Sequence, residues 1–229
     1  EAQAMMARLK PDLSETERAF ARPEAEHLLD EIADIETLHP RRSEISTRLH
    51  QLKYTLPGAG IREDGLPDMI WLPVDGSDGM YKFEFGEFEV KPFFIAQYLT
   101  TYVQFQAFVD HPNGFENPAW WQDMPEKYQK QRVGDPRQPY TNYPRDSVSW
   151  YRAVAYARWL DAKLREANLL PDASLQVRLP TEWEWQWAAM AGVKAQKYPW
   201  GEWDGRRCNT REAGIARTTA VGMYPHGRA

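Results

Sequence analysis

The residues that could do chemistry in this chain are few. There is one cysteine, Cys208, and there are five histidines. Cys208 lies in the run Arg206-Arg207-Cys208-Asn209-Thr210. Two guanidinium groups beside a thiol can lower its pKa and favour the thiolate, which is the nucleophilic form. A lone thiol also needs a base, and a group to orient that base, before it can react. No histidine stands near Cys208 in the sequence, so the competing reading is a small apolar filler. His27, His39 and His50 fall in the first fifty residues. A metal site on a helix would want two of them one turn apart, as in His-x-x-x-His, and this spacing is absent. They are expected at surface or half-buried positions.

The stretch that organises the rest is Arg178 to Gly192, RLPTEWEWQWAAMAG. Thr181 is a good N-cap and Glu184 follows three residues later, which predicts a reciprocal capping box. Pro180 fixes the entry. Trp183, Trp187 and Met190 recur at helical spacing and give one large apolar face, and Gly192 supplies the stop. Upstream, Ser149 is expected to cap a helix from Trp150 to about Asn168. Val154, Ala157, Leu160 and Leu164 would face inward, with Arg158 and Lys163 exposed. Leu175 to Leu179 reads as a short strand leading into the capped helix.

The beginning of the chain is helical in pattern. Pro23 suits a first turn. Leu28, Leu29, Ile32 and Ile35 form a stripe opposite Glu24, Glu26, Asp30, Glu31 and Asp34. A second helix is predicted from about Pro40 to Leu52, with Ile45 and Leu49 inward. Arg41 and Arg42 at its start oppose the helix dipole, so they should pair with acidic neighbours or face solvent. Two short helices bury little by themselves. They need the next domain, an upstream domain or a second copy to pack on. The division expected is an N-terminal helical segment over residues 1–55, a Pro/Gly-rich linker over 56–68 (LPGAGIREDGLPD), and one domain over 69–229.

Within that domain, Met69 to Val74 and Pro92 to Tyr98 read as strands. Tyr81, Phe83, Phe85, Phe88 and Val90 alternate around a turn or bulge at Gly86. Thr101 can cap a helix running to about Asp110, with Phe105, Phe108 and Val109 buried. His111 to Asp146 has six prolines and little helical period. A loop of that length needs anchoring, and Trp120-Trp121 are expected to plug it onto the core. Helices and many short strands without βα alternation predict an α+β fold.

Ten tryptophans and seventeen prolines in 229 residues fit a loop-rich domain pinned by aromatic packing. A net charge of −5 gives no electrostatic basis for nucleic-acid binding. No apolar run approaches a membrane span. Glu1 to Lys10 do not read as a signal peptide, and a single cysteine suits a reducing compartment, so a cytoplasmic location is expected. The chain does not begin with Met and reads as a piece of a longer protein.

Several blocks, in order, resemble the formylglycine-generating enzyme family, also called the sulfatase-modifying-factor domain. They are Asn142-Tyr-Pro-Arg-Asp-Ser-Val-Ser-Trp150, Arg178 to Gly192, Tyr198-Pro-Trp-Gly, Cys208-Asn-Thr, Arg217-Thr-Thr-Ala-Val-Gly and Tyr224-Pro. The matching region runs from about Trp71 to Ala229. Separated blocks in the right order carry far more weight than any one of them. The resemblance implies a C-type-lectin-like fold. It also implies a structural calcium near Asn209 and Thr210. Asn209 would give a side-chain oxygen, Thr210 a backbone one and Glu212 a carboxylate. The competing reading is that Asn209 only closes a turn.

Members of this family that make formylglycine use a cysteine pair with bound copper, after a Gly-Asn-x-Trp-Glu-Trp phrase. Neither the pair nor the phrase occurs here, and the domain is expected to be C-terminally incomplete. An iron-dependent sulfoxide synthase branch holds its metal through histidines of an N-terminal bundle, but the helices here are too short and lack the pairing. Other relatives have given up catalysis, among them the diversity-generating-retroelement variable proteins, which display a ligand surface. The primary expectation is therefore a non-catalytic ligand- or protein-binding module for display or sensing. Its partner would be a protein or small ligand, and a place at the end of a larger signalling protein also fits. The alternative is a copper-dependent oxidase whose cysteine pair lies in a missing tail.

Overall fold

Helix α1 (Glu24–Ala33) buries Ala25, Leu28 and Ile32, and α2 (His39–Gln51) buries Ile45 and Leu49. These apolar stripes do not close on each other alone. They form one cluster with Tyr143 of the long loop and with Ala220 and Met223 from the far end of the chain. The computed structural model describes residue 14 and residues 22–83, 86–130, 133–192 and 196–227. Pro23 stands at the N-cap of α1, one place earlier than a first-turn position.

Arg41 behaves as its sequence context predicts, pairing with Glu31 at 2.7 Å and Glu44 at 3.2 Å. Arg42 does not. It is 1% exposed and has no carboxylate partner among its hydrogen bonds. Instead it donates to the carbonyls of Ile32 (2.8 Å), Asp34 (2.6 Å), Thr37 (2.9 Å) and Met223 (2.7 Å). The physical reason is that a helix end leaves carbonyls without partners, and a guanidinium carries five donors in one rigid plane. One buried arginine thus closes the end of α1 and ties both helices to the C-terminal segment.

The Pro/Gly-rich stretch is held at several points. Leu56 and Ala59 are buried, and the Leu56 amide donates to Asn142 Oδ1 at 3.1 Å. Thr101 Oγ1 donates to Ala59 O, and Gln104 Nε2 donates to the carbonyls of Gly58 and Asp68.

Four short strands follow: β1 (Trp71–Val74), β2 (Met80–Phe83), β3 (Gly86–Glu89) and β4 (Phe93–Ala96). They make two separate antiparallel pairs, β1 with β4 and β2 with β3. Phe83 stands opposite Gly86 in the tight hairpin. Phe85, read as part of the alternation, lies outside the described residues. Phe83 and Val90 pack on Trp187.

Helix α3 (Tyr102–Asp110) starts at Thr101, as expected, with a full capping box to Gln104. The long irregular stretch is partly organised by a 3-10 turn, Pro118–Trp121, and a short helix α4 (Glu126–Lys130). Trp121 is the plug. It is buried and its Nε1 donates to Phe115 O at 2.8 Å. Helix α5 (Trp150–Glu166) carries the main core, with Trp159 completely buried beside Leu160 and Leu164. Val154 is only half-buried, whereas Arg152, Ala155 and Tyr156 are buried. The exposure expected for Arg158 and Lys163 is not found. Arg158 Nη1 donates to the carbonyls of Trp120 and Gln122, and the Lys163 side chain is 13% exposed and pairs with Glu166. The long loop folds back over α5 at Arg158, whereas Lys163 is held within its own helix.

Leu175 to Leu179, expected as a strand, has no ladder partner, although its residues alternate half-buried and exposed. Helix α6 (Glu182–Ala189) follows, opened by the predicted Thr181–Glu184 box. Trp187 is buried and its Nε1 donates to Asp75 O at 2.8 Å. The architecture is one of helices and small separate sheets, which is the α+β class expected.

Candidate functional site

The residues with chemical potential converge on the segment from Tyr198 to Gly214, which has no long element of its own. Aromatic stacking and one carboxylate shape it. Tyr198 stacks on Trp200 at 5.7 Å and 12°, and leans on Trp203 at 5.2 Å. Trp203 is 45% exposed, so this cluster reaches the surface. Asp204 caps a 3-10 turn, Gly205–Arg207. Its carboxylate accepts from Arg206 Nε at 2.9 Å and Nη2 at 3.0 Å, and from Arg207 Nε at 3.2 Å. The Arg206 hydrogen bonds hold the Asp204 carboxyl at about 2.

That pairing changes the prospects of Cys208. The two cations beside it in sequence are turned toward Asp204. Cys208 itself is half-buried, and burial pushes its thiol above the ordinary value. A protonated thiol is a poor nucleophile. Of the two sequence readings, the geometry supports the small filler.

Asn209, Thr210 and Glu212 lie in one turn leading into a second 3-10 turn, Arg211–Ala213. Asn209 Nδ2 donates to Arg217 O at 2.8 Å, which holds the two sides of the loop together. The Thr210 hydroxyl lowers the Glu212 carboxyl. Gly214 closes the turn at φ 69°, where a side chain would be strained. Among the described residues, no group of three or more His, Cys, Asp or Glu could hold a metal ion. The histidines serve packing: His39 Nδ1 meets Tyr224 OH at 2.9 Å, and His50 stacks on Tyr140 at 4.3 Å.

The turn between α1 and α2, the C-terminal segment and α2 tie down this region. Arg206 Nη1 meets Glu36 Oε1 at 2.5 Å, Arg207 Nη1 donates to His226 O, and Arg217 Nη2 donates to Ser43 Oγ at 2.8 Å. Sequence reasoning missed Asp204, Ser43 and Ser46, whose Oγ accepts from the Ala220 amide at 3.2 Å. Asp204, three residues before Arg207, was the available signal. Nothing in the sequence pairs the two serines with residues more than 170 positions away.

A second feature lies elsewhere. A groove of about 570 Å³ runs between β4 and the extended residues 175–180, with Ala153, Tyr156 and Leu160 of α5 among its lining. At its margin Glu184 accepts from Arg178 Nη1 at 2.7 Å and Nη2 at 2.6 Å, and from the Thr181 amide at 2.7 Å. The Arg178 hydrogen bonds bring the Glu184 carboxyl down to about 2 from 4.5.

Comparison with known proteins shows the family. The sulfatase-modifying factor enzyme 1-like domain matches residues 62–227, and the chain belongs to that family. The formylglycine-generating enzyme of Streptomyces coelicolor is 36% identical over 101 residues, 38% of this chain and 27% of that protein. The inactive C-alpha-formylglycine-generating enzyme 2 of Mus musculus is 30% identical over 119 residues, 46% of this chain and 34% of that protein. The hercynine oxygenase of Mycolicibacterium smegmatis is 26% identical over 160 residues, 61% of this chain and 33% of that protein. The chain spans about a third of the length of these relatives. The matched relatives therefore include proteins named as enzymes and one named as inactive. No helix among the described residues is long and apolar enough to cross a membrane.

Proposed function

We propose that this chain is a non-catalytic ligand- or protein-binding module, for sensing or display, on a C-type-lectin-like body of the formylglycine-generating-enzyme type. The observation that carries the reading is the state of Cys208. It is the one cysteine of the sequence, its flanking arginines are engaged by Asp204, and burial pushes its thiol above the ordinary value. The copper-dependent oxidation that makes formylglycine runs on two thiols, and a copper(I) site is built from soft thiolates. This donor set does not fit copper. The ligand surface of this reading is the aromatic cluster of Tyr198, Trp200 and Trp203. Trp203 is its exposed ring, backed by the half-buried Tyr198 and Trp200, and rigid rings give contact area at little entropic cost.

A structural calcium at Asn209, Thr210 and Glu212 belongs to the same reading. These residues can offer about three of the six to eight oxygens such an ion takes, so water and backbone carbonyls would complete the shell. Its role would be to brace the loop that presents Trp203. A location in a reducing compartment, and packing of α1 and α2 on an upstream domain or a second copy, complete it.

The test is oxygen uptake with copper(I) and a cysteine peptide. The protein is expected to consume no oxygen above buffer and to leave the peptide thiol intact. Formylglycine in the peptide would overturn the reading. The competing oxidase is favoured by one observation, the 36% identity to the Streptomyces coelicolor enzyme over 101 residues. It requires a cysteine pair outside residues 1–229.

A further inference from the structure

The α1–α2 hairpin meets the C-terminal segment through one aromatic ring set between two basic side chains. Tyr224 lies just before the 3-10 turn Pro225–Gly227. Its hydroxyl is 2.9 Å from Nδ1 of His39, the first residue of α2. Its ring carries the Arg42 guanidinium, with Cζ 5.2 Å from the ring centroid. Arg42 is fixed there by its bonds to the carbonyls of Ile32, Asp34, Thr37 and Met223. His39 therefore has a buried cation three residues along its own helix. It also stands at the positive end of the helix dipole, and the first turn of α2 holds no acidic residue to offset that.

The phenol decides the state of the imidazole. Burial pushes the Tyr224 hydroxyl up to about 12, so it keeps its proton at neutral and mildly acid pH. The acceptor that this proton meets is the Nδ1 lone pair of His39, which exists only in the neutral ring. A second proton on the imidazole turns Nδ1 into a donor, takes away the acceptor of the hydroxyl, and sets a second cation beside Arg42. Arg42 is the charge that acts on His39, Asp34 from the α1–α2 turn acts on Arg42, and Cys208 acts on Tyr224 from the facing segment. Among the described residues no carboxylate is bonded to His39. Burial, and then Arg42, hold His39 below its ordinary value.

We propose that His39, Tyr224 and Arg42 form an acid-released clasp, which seats the α1–α2 hairpin on the C-terminal segment while His39 is neutral and loosens it when His39 takes up a proton. The sign follows from linkage. A base whose value is depressed in the folded chain contributes its stability in full above 6.5 and loses it as pH falls through the window below. Other ties hold in that window. Arg42 still donates to Met223 O, Arg217 to Ser43 Oγ, and the Ala220 amide to Ser46 Oγ. His226 Nε2, 2.7 Å from Ala33 O, donates there with either charge on its ring. Acid thus loosens the His39 end of the hairpin without unfolding the chain. The proposal concerns this seat alone and does not rest on the binding role proposed above.

The test is amide hydrogen exchange over residues 38–45 and 222–227, corrected for intrinsic rates, at pH 7.5 and 5.5. It compares the chain of residues 1–229 with its His39→Gln variant, whose amide oxygen accepts from Tyr224 and does not titrate. Local opening of the unchanged chain is expected to rise at least about threefold from pH 7.5 to 5.5. The variant should open equally at both. A nuclear magnetic resonance titration of the His39 ring in the unchanged chain gives a second measurement. Its midpoint is expected below 6.5, and higher in Tyr224→Phe, which removes the hydroxyl that keeps the ring neutral. A His39 midpoint at or above 6.5 overturns the proposal. So does an equal response of opening to pH in the unchanged chain and in His39→Gln.

Discussion

Glu184 offers the sharpest test of how the centre of this fold is held. It is 8% exposed and takes three charge-assisted hydrogen bonds, two from Arg178 and one from the Thr181 amide. Its carboxyl is held at about 2 against an ordinary 4.5. A difference of that size corresponds to about 3 kcal/mol of preference for the charged form in the folded chain. The Arg178 side chain is 50% exposed, so solvent screens part of this, and about 2 kcal/mol is the working figure. The sign follows from linkage. A depressed carboxyl stabilises the fold fully above 4.5 and loses that contribution as pH falls toward 2. Glu184→Gln keeps the size and an acceptor for the Thr181 amide but removes the charge. Urea unfolding of both proteins at pH 7, 5, 4 and 3 gives the comparison. The variant is expected to be about 2 kcal/mol less stable at pH 7 and 5, with the gap shrinking at pH 4 and 3. A gap that stays constant with pH would refute the electrostatic account, because the loss would then come from packing or the cap alone.

Other substitutions probe the remaining ties. Arg42→Lys replaces five planar donors with a point charge and strands several buried carbonyls, so a loss of about 3 kcal/mol is expected, with earlier proteolysis between α1 and the body. Trp187→Phe keeps the ring contacts with Phe83 and Val90 but deletes the donor to Asp75 O. It should cost about 1–2 kcal/mol by thermal melting, against about 3–5 for Trp187→Ala. Cys208 should react with iodoacetamide at pH 8 at least about tenfold more slowly than free cysteine, because its thiol is raised and half-buried. A rate equal to that of free cysteine would restore the thiolate reading.

The helices were legible because their starts are local. Thr101, Ser149 and Thr181 each cap a helix within three residues, and that chemistry is written in adjacent positions. What failed was long-range or relational. Arg42 looked like a surface charge because its carbonyl partners lie at the end of a preceding helix and near the C-terminal end of the chain. Arg158 looked exposed because the loop that covers it is irregular and has no period to read. Cys208 could be read as activated only while Asp204 was left out, since a carboxylate four residues away turned out to hold both arginines.

Leu175 to Leu179 is a different kind of discrepancy. Its sequence pattern and its backbone agree on a strand, and only the hydrogen-bonded neighbour is lacking. A wrong propensity reading would leave a turn or a helix there, with the alternation broken. The preserved alternation instead says that the local preference was correct: the Val177 amide donates to Asp161 Oδ1 and the Leu175 carbonyl accepts from Arg165, so side chains of α5 bond main-chain groups that a neighbouring strand would otherwise take.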